Sequence, residues 1–441
     1  LEIAGNATFN GVASLDIDRH FTLTSGTFAQ GGNTMNVAGN FSIANNAVFT
    51  KATGAQDLTL DGTGNLTDSN TTKQDLGVVV IGGTTTTRTL ASSIKLTNLT
   101  INTGNALSAA GYAITALGNW TNYATFTHGN NTVTFGGTSG TQTVNSGSSN
   151  FYNVTINNSG TSVQLLTNNL TQSAGGVLTM TAGVLDLNTK TLNLGASLST
   201  TAGTIQIGTG TLAGGTSYNI AVGTGATITQ GTGTLSALDF TVNGTGIYTC
   251  SGASIINVSG NAVITSANWT PSSSTITMSG TTKTINASVA IYNLTITGSI
   301  SINSANDLNV DGAFNLSSGS FSQNSKNLNV AGNFTLANST TYTKGGTLTL
   351  DGTGNLTDSN TTKQDLGAVT VDGTAAVRTL TTAVKMTTLT IGSDDTLSLA
   401  GNNFDFSAAA AVVNYGTFQL QGSETLTNVN NLDQDTGLVK Y

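Results

Sequence analysis

The sequence predicts an all-β chain wound as a parallel β-helix, or β-solenoid, of roughly 16 to 22 coils. Three observations lead there: local chemistry that opposes helices, short strands alternating with a period of two, and self-similarity between segments far apart. Glycine fills 54 of 441 positions, β-branched Thr and Val recur every few residues, and no capped apolar stripe of helical period survives for three turns. Strands follow one another along the chain instead: Asn131 to Phe135, Val177 to Thr181, Thr191 to Leu194, Ser274 to Met278 and Thr347 to Leu350. Each alternates a Thr or Asn with an apolar residue, which places apolar side chains on one face and hydroxyls or amides on the other. Gly-Asn, Asp-Gly and Gly-Thr punctuate them about every seven to ten residues.

Repetition selects among the all-β architectures. The segment Leu58 to Gly77, LTLDGTGNLTDSNTTKQDLG, recurs letter for letter from Leu348 to Gly367. The likeness spreads outward, so that 27–101 resembles 320–391. Thr27 onward (TFAQGGNTMNVAGNFSIANN) matches Ser320 onward (SFSQNSKNLNVAGNFTLANS), Arg88-Thr89-Leu90 matches Arg378-Thr379-Leu380, and Lys95 matches Lys385. A looser family pairs Phe151 to Ile156 with Ile291 to Ile296, each after an Asn-Trp-Thr at Asn119-Trp120-Thr121 or Asn268-Trp269-Thr270. Near-identical segments far apart fit best where each segment meets mainly its neighbours. A propeller would show one dominant period near 40 to 50 residues, and none is present. Three strands per coil give coils of about 20 to 27 residues and a rod of about 80 to 105 Å. Residues 1–421 read as one continuous solenoid. The grammar fades over 422–441, read as a cap or a linker, where Asp433 and Asp435 enter.

Composition removes several function classes. Charged residues are 8%, with 13 Lys+Arg against 21 Asp+Glu and a net charge of −8, so no basic patch exists to neutralise phosphates and nucleic acid is not an expected partner. No stretch approaches 18 consecutive apolar residues, and no membrane span or retained signal peptide is visible. One cysteine, Cys250, cannot pair within the chain. The chain begins with Leu1, and the expectation is an excised part of a longer secreted protein, extracellular or at the cell surface.

Leu117 to Val144 (LGNWTNYATFTHGNNTVTFGGTSGTQTV), followed by Phe151 to Leu166, resembles the repeats of large bacterial surface and secreted proteins. Similar grammar recurs at Asn293-Leu294-Thr295-Ile296 and Ala331-Gly332-Asn333-Phe334. The resemblance implies a right-handed parallel β-helix like those of filamentous-haemagglutinin-type and autotransporter-passenger adhesins. It specifies architecture and names no ligand.

Enzymes that cut polysaccharides also use this fold, and need paired carboxylates, or Ca²⁺-binding acids beside a basic residue. The best cluster is Asp57, Asp61, Asp68 and Asp75, kept in the repeat as Asp351, Asp358 and Asp365 with Thr347 in place of Asp57, and with Lys73 and Lys363 nearby. Asp61-Gly62 and Asp351-Gly352 read as turns and the remaining acids as a solvated loop. The Ca²⁺-binding nonapeptide GGxGxDxUx is not met at Gly82-Gly83 or Gly136-Gly137, and no metal, cofactor or catalytic residue is assigned. His20, after Asp18-Arg19, is expected in an exposed ion pair, and His128 at the surface or in a turn. Cys250 is expected as a small buried hydrophobe. Trp120, Trp269, Tyr152, Tyr292 and Phe151 sit at repeated positions, as stacked core or rim residues would, with sugar stacking as the alternative. Thr-x-Thr strands such as Thr132 to Thr134, Thr179 to Thr181, Thr275 to Thr277 and Thr347 to Thr349 are spaced too irregularly for one ice-matching array. Asn-x-Thr sequons at Asn65, Asn98, Asn153, Asn293 and Asn333 permit glycosylation.

The resulting expectation is a non-catalytic structural or adhesive protein, a stalk, sheath or filament at the cell surface. The alternative is a polysaccharide-binding or polysaccharide-degrading β-helix. Leu1 to Phe9 already read as repeat, so either more coils precede them or subunits associate end to end. A cell-surface or carbohydrate ligand is the other expected partner.

Overall fold

The computed structural model describes residues 1–9, 14–52, 57–433 and 435–441. Within these, parallel strands stack in about 20 coils as a β-solenoid without helices. The chain divides into two compact units, Leu1–Gly214 with Gly225–Thr229, and Gly215–Thr224 with Gln230–Tyr441.

In the first unit one ladder joins Glu2–Ala4, Phe21–Ser25, Phe41–Ile43, Gly64–Asp68, Thr87–Leu90, Ala106–Ser108 and Thr125–Thr127. A second passes through Leu15–Ile17, Met35–Val37, Asp57–Leu60, Val78–Ile81, Asn98–Ile101, Trp120–Asn122, Thr141–Asn145 and Ser162–Leu165. A third includes Ile94–Leu96, Ile114–Ala116, Thr132–Phe135, Asn153–Asn157 and Leu178–Ala182. Neighbours in a ladder are mostly every third strand of the chain, so a coil has three sides, and the pairing is parallel. The period of two then fixes which side chains stack. Met35, Leu58, Val79, Leu99, Trp120, Val144 and Leu165 lie in register as one inward column, and all are buried. Outward positions form polar columns, for example Lys95, Thr115, Thr134, Thr155 and Thr179.

The second unit repeats this logic. Leu235, Ile256, Ile276, Leu294, Phe314, Phe334, Leu356 and Leu380 form an inward column. One residue along, Ser236, Asn257, Thr277, Thr295, Asn315, Thr335 and Thr357 face outward. The irregular sequence spacing of the Thr-x-Thr strands is therefore absorbed in the connections, and hydroxyls and amides line up in outward columns, with an occasional apolar member such as Val80 between Thr59 and Thr100. Past residue 421 the stack continues: Leu426–Asn431 pairs with Phe404–Asn414, and Leu438–Lys440 with Thr417–Gln419.

The duplication reaches into the core. Phe21 stacks on Phe41 at 5.0 Å, with Phe28 and Phe49 packed against them. Phe314 stacks on Phe334 at 5.1 Å, with Phe321 and Tyr342 in the matching places.

Asparagine owes its abundance to the coil corners. Where a strand begins, the Asn side-chain oxygen accepts the backbone N–H one coil later: Asn40 from Asn65, Asn98 from Asn119, Asn119 from Thr143, Asn153 from Val177, Asn293 from Ala313 and Asn333 from Asn355, all at 2.7–3.0 Å. These bonds satisfy N–H groups at the corners, between one side of the coil and the next. They also explain the sequons. In Asn-x-Thr the Asn and the Thr both face outward and the middle residue enters the core, as Leu294 does between Asn293 and Thr295. Asn98, Asn153, Asn293 and Asn333 thus use their amides in holding coils together.

Candidate functional site

The duplicated acid cluster is the only sequence-predicted candidate site with enough chemistry to dissect, and the fold sends its carboxylates to separate tasks. Asp68 ends the strand Gly64–Asp68 as an inward residue with no solvent exposure. Its Oδ1 accepts from the Asn70 N–H at 3.0 Å and from Asn70 Nδ2 at 2.9 Å, and its Oδ2 accepts from the Gln74 N–H at 2.6 Å. Lys73 Nζ closes the loop by donating to the Asp68 and Asn70 carbonyls. Asp358, Asn360, Lys363 and Gln364 reproduce every one of these bonds. The carboxylate organises a loop, and the neighbouring lysine caps carbonyls. Asp68 and Asp358 are therefore not the solvated loop acids expected from the sequence.

Asp75 and Asp365 face outward. Asp75 pairs with Lys51 and accepts from Thr97 Oγ1 at 3.1 Å, while its Oδ1 takes the Gly77 N–H. Asp365 does the same with Lys344, Thr387 and Gly367. Burial alone raises the Asp365 carboxyl, but the hydrogen bonds from Lys344 and the Gly367 N–H outweigh it and hold the group below its usual range. Asp57, which has no acid counterpart, is raised by burial.

Asp61 and Asp351 belong to a feature that the sequence reading did not assign. Arg88 and Arg378 are both 0% exposed. Each guanidinium passes inward and donates to three consecutive carbonyls two coils away: Val37, Ala38 and Gly39 for Arg88, and Val330, Ala331 and Gly332 for Arg378. Glycine makes this passage possible. Gly64 is the register partner of Arg88, and a Cβ there would lie 3.0 Å from Arg88 Nη1 and 2.9 Å from the Gly39 carbonyl carbon. Gly354 partners Arg378 and is equally tight against Gly332. Burial pushes each guanidinium down to about 10, opposed by Asp61 for Arg88 and by Asp351 for Arg378, so both remain charged at neutral pH. Burial also raises the Asp351 carboxyl. The signal was present in Thr87-Arg88-Thr89-Leu90, where period two puts an arginine in an inward position twice over.

The other candidates resolve singly. His20 forms no ion pair among the described residues; its Nδ1 accepts the Asn40 N–H at 2.9 Å, taking the place of a corner asparagine. His128 sits in a turn with Nδ1 accepting from the Asn130 N–H, its ring 5.6 Å from that of Tyr152 and Nε2 2.9 Å from Ser173 Oγ. Cys250 is buried, and burial raises its thiol above the usual range. Trp120, Phe151 and Trp269 are core residues, Trp120 packing on Phe126, Phe135 and Phe151. Tyr152 and Tyr292 are half-buried. Among the described residues no three of His, Cys, Asp and Glu come together in a metal-binding group, and no helix is long and apolar enough to cross a membrane.

Compared with protein-family models, curated proteins and solved structures, the chain matches none, so its likeness to surface β-helix proteins stands at the level of the β-solenoid architecture.

Proposed function

We propose that this chain is a non-catalytic structural or adhesive scaffold, part of a stalk, sheath or filament outside the cell. One observation carries the reading: in both copies Asp68 and Asp358 are taken up by backbone N–H groups and Asp75 and Asp365 by outward lysines, while Asp61 and Asp351 lie in the field of a buried arginine. The free carboxylate pair, or the Ca²⁺-binding acids beside a free base, that polysaccharide cleavage uses is not what the duplication preserves. It preserves coil-to-coil bonds. Outside, hydroxyl and amide columns offer a weakly charged surface suited to solubility and neutral contacts. End-to-end self-association belongs to the same proposal, since the edge of a parallel ladder is a template for another strand.

The test is electron microscopy of the purified protein together with incubation on neutral and acidic polysaccharides. Elongated particles or fibres without release of new sugar ends support the proposal. Compact particles that release sugar ends replace it with the polysaccharide-degrading alternative.

A further inference from the structure

Two tyrosines escape the core one coil beyond the duplicated segments, each next to the strand that pairs with the last strand of its segment. Tyr123 follows the inward-facing Asn122, whose register partner is Ile101, and its N–H bonds to the Ile101 carbonyl at 2.9 Å. Tyr415 follows Asn414, partnered by Ile391, with the same bond at 2.9 Å. The asparagines are fully buried and anchor the corner, Asn122 Nδ2 donating to the Ser146 carbonyl and Asn414 Nδ2 to the Leu438 carbonyl. The rings that follow are 60% and 47% exposed. Each leaves a large aromatic surface in water, while Trp120, Phe151 and Trp269 are withdrawn into the core.

Each ring borders a cleft. Tyr123 shares one of about 320 Å³ with Thr121, Thr143, Asn145, Ser148 and the 48% exposed Leu166. Tyr415 shares one of about 380 Å³ with Thr370, Thr390, Ser393, Thr436 and Asp372. These volumes fall at the small end of ligand sites, roughly 300 to 1,000 Å³. The first cleft is lined by no ionisable group other than the phenol, and the second adds a single carboxylate. Neither lining holds a cation to neutralise a phosphate or sulfate, whereas its hydroxyls and amides both donate to and accept from neutral hydroxyls, and an aromatic face beside them suits the apolar C–H face of a sugar ring.

We infer that the Tyr123 and Tyr415 clefts are binding subsites for neutral saccharides, in which the tyrosine ring stacks on the sugar and the surrounding Thr, Ser and Asn side chains bond its hydroxyls. The inference deepens the adhesive side of the proposed function and rests on it. The outward Thr and Asn columns beside each cleft would let a chain of sugars extend along the coils.

The experiment is affinity electrophoresis of the whole chain through gels containing mannan, xyloglucan or galactomannan, with polygalacturonate and heparin as acidic counterparts. Retardation by at least one neutral polysaccharide is expected. Tyr123→Ala and Tyr415→Ala should each weaken it by roughly threefold to tenfold, the weight of one aromatic contact, and the double variant by roughly tenfold to a hundredfold. Tyr112→Ala, exposed but outside both clefts, should bind as the parent does. The exposed positions keep the fold intact, which circular dichroism verifies for each variant. Retardation by the acidic gels alone, by none, or undiminished in the double variant overturns the inference. Release of sugar ends would instead defeat the non-catalytic reading while leaving binding at these tyrosines measurable.

Discussion

Replacing Arg88 by methionine probes the coil stack at its most demanding point. The methionine keeps much of the aliphatic stem and removes three donors, so the Val37, Ala38 and Gly39 carbonyls lose their bonds to the guanidinium. Charge-assisted hydrogen bonds contribute about 1.5–3 kcal/mol each, and burying the ion offsets several kcal/mol of that sum. Removing one partner from a buried charged arrangement costs about 3–5 kcal/mol, and the Asp61 Oδ1, buried without a hydrogen-bond partner, remains behind. The predicted loss is therefore about 3 kcal/mol or more for the first unit. The two tryptophans allow it to be read locally, since Trp120 lies in the first unit and Trp269 in the second. In a Trp269→Phe background, urea unfolding followed by Trp120 fluorescence should show the loss for Arg88→Met. In a Trp120→Phe background, Arg378→Met should do the same to the Trp269 transition. A change below about 0.5 kcal/mol, the usual range of surface substitutions, would refute the claim that the guanidinium holds three coils together.

Further outcomes follow from the same contacts. Asp68→Asn turns one acceptor oxygen into a donor facing the Gln74 N–H; a cost of about 2 kcal/mol in the Trp120 transition is expected, with Asp358→Asn matching it in the second unit. Gly64→Ala should lower that transition by a similar amount, about 2 kcal/mol, because its Cβ meets backbone and the Arg88 fork. Asp365 is held below its usual range, so its stabilisation is complete above the unfolded carboxyl value near 4 and is lost as pH falls through the lower folded value. At pH 7 Asp365→Asn should be less stable than the parent by under 1 kcal/mol, as suits a part-exposed pair, and the difference should vanish in acid; a gap independent of pH contradicts the assignment. Cys250 should resist a thiol reagent at pH 8 in the native protein and react fully in denaturant, and rapid native labelling would contradict its burial.

Much of the architecture could be read from the residues, because period two and the repeated block at Leu58 and Leu348 are properties of neighbouring positions and of plain self-comparison. Three strands per coil followed from punctuator spacing. What escaped depends on the register between coils, which the connections set. The loop after Asp68 decides that this carboxylate turns onto its own backbone. Gly64 decides that Arg88 passes through a coil, and a corner geometry that suits asparagine also suits His20. The sugar-stacking alternative rested on Trp120, Trp269, Phe151, Tyr152 and Tyr292, of which the first three are buried in the core and the two tyrosines half-buried. Tyr123 gave no sign in the sequence, since the repeat around it is loose and its exposure arises only where the strand Trp120–Asn122 ends.

Paired cysteines test the parallel stack most directly. Ala368 and Thr370 face Thr388 and Thr390 one coil away, within the roughly 4.4–6.8 Å between α-carbons that a disulfide spans. In a Cys250→Ser background, the double variants Ala368→Cys/Thr388→Cys and Thr370→Cys/Thr390→Cys should both cross-link on mild oxidation, because moving both partners two residues in the same direction preserves parallel register. In an antiparallel hairpin the second pair would separate as the first came together, so cross-linking of only one pair, or of neither, would contradict the solenoid.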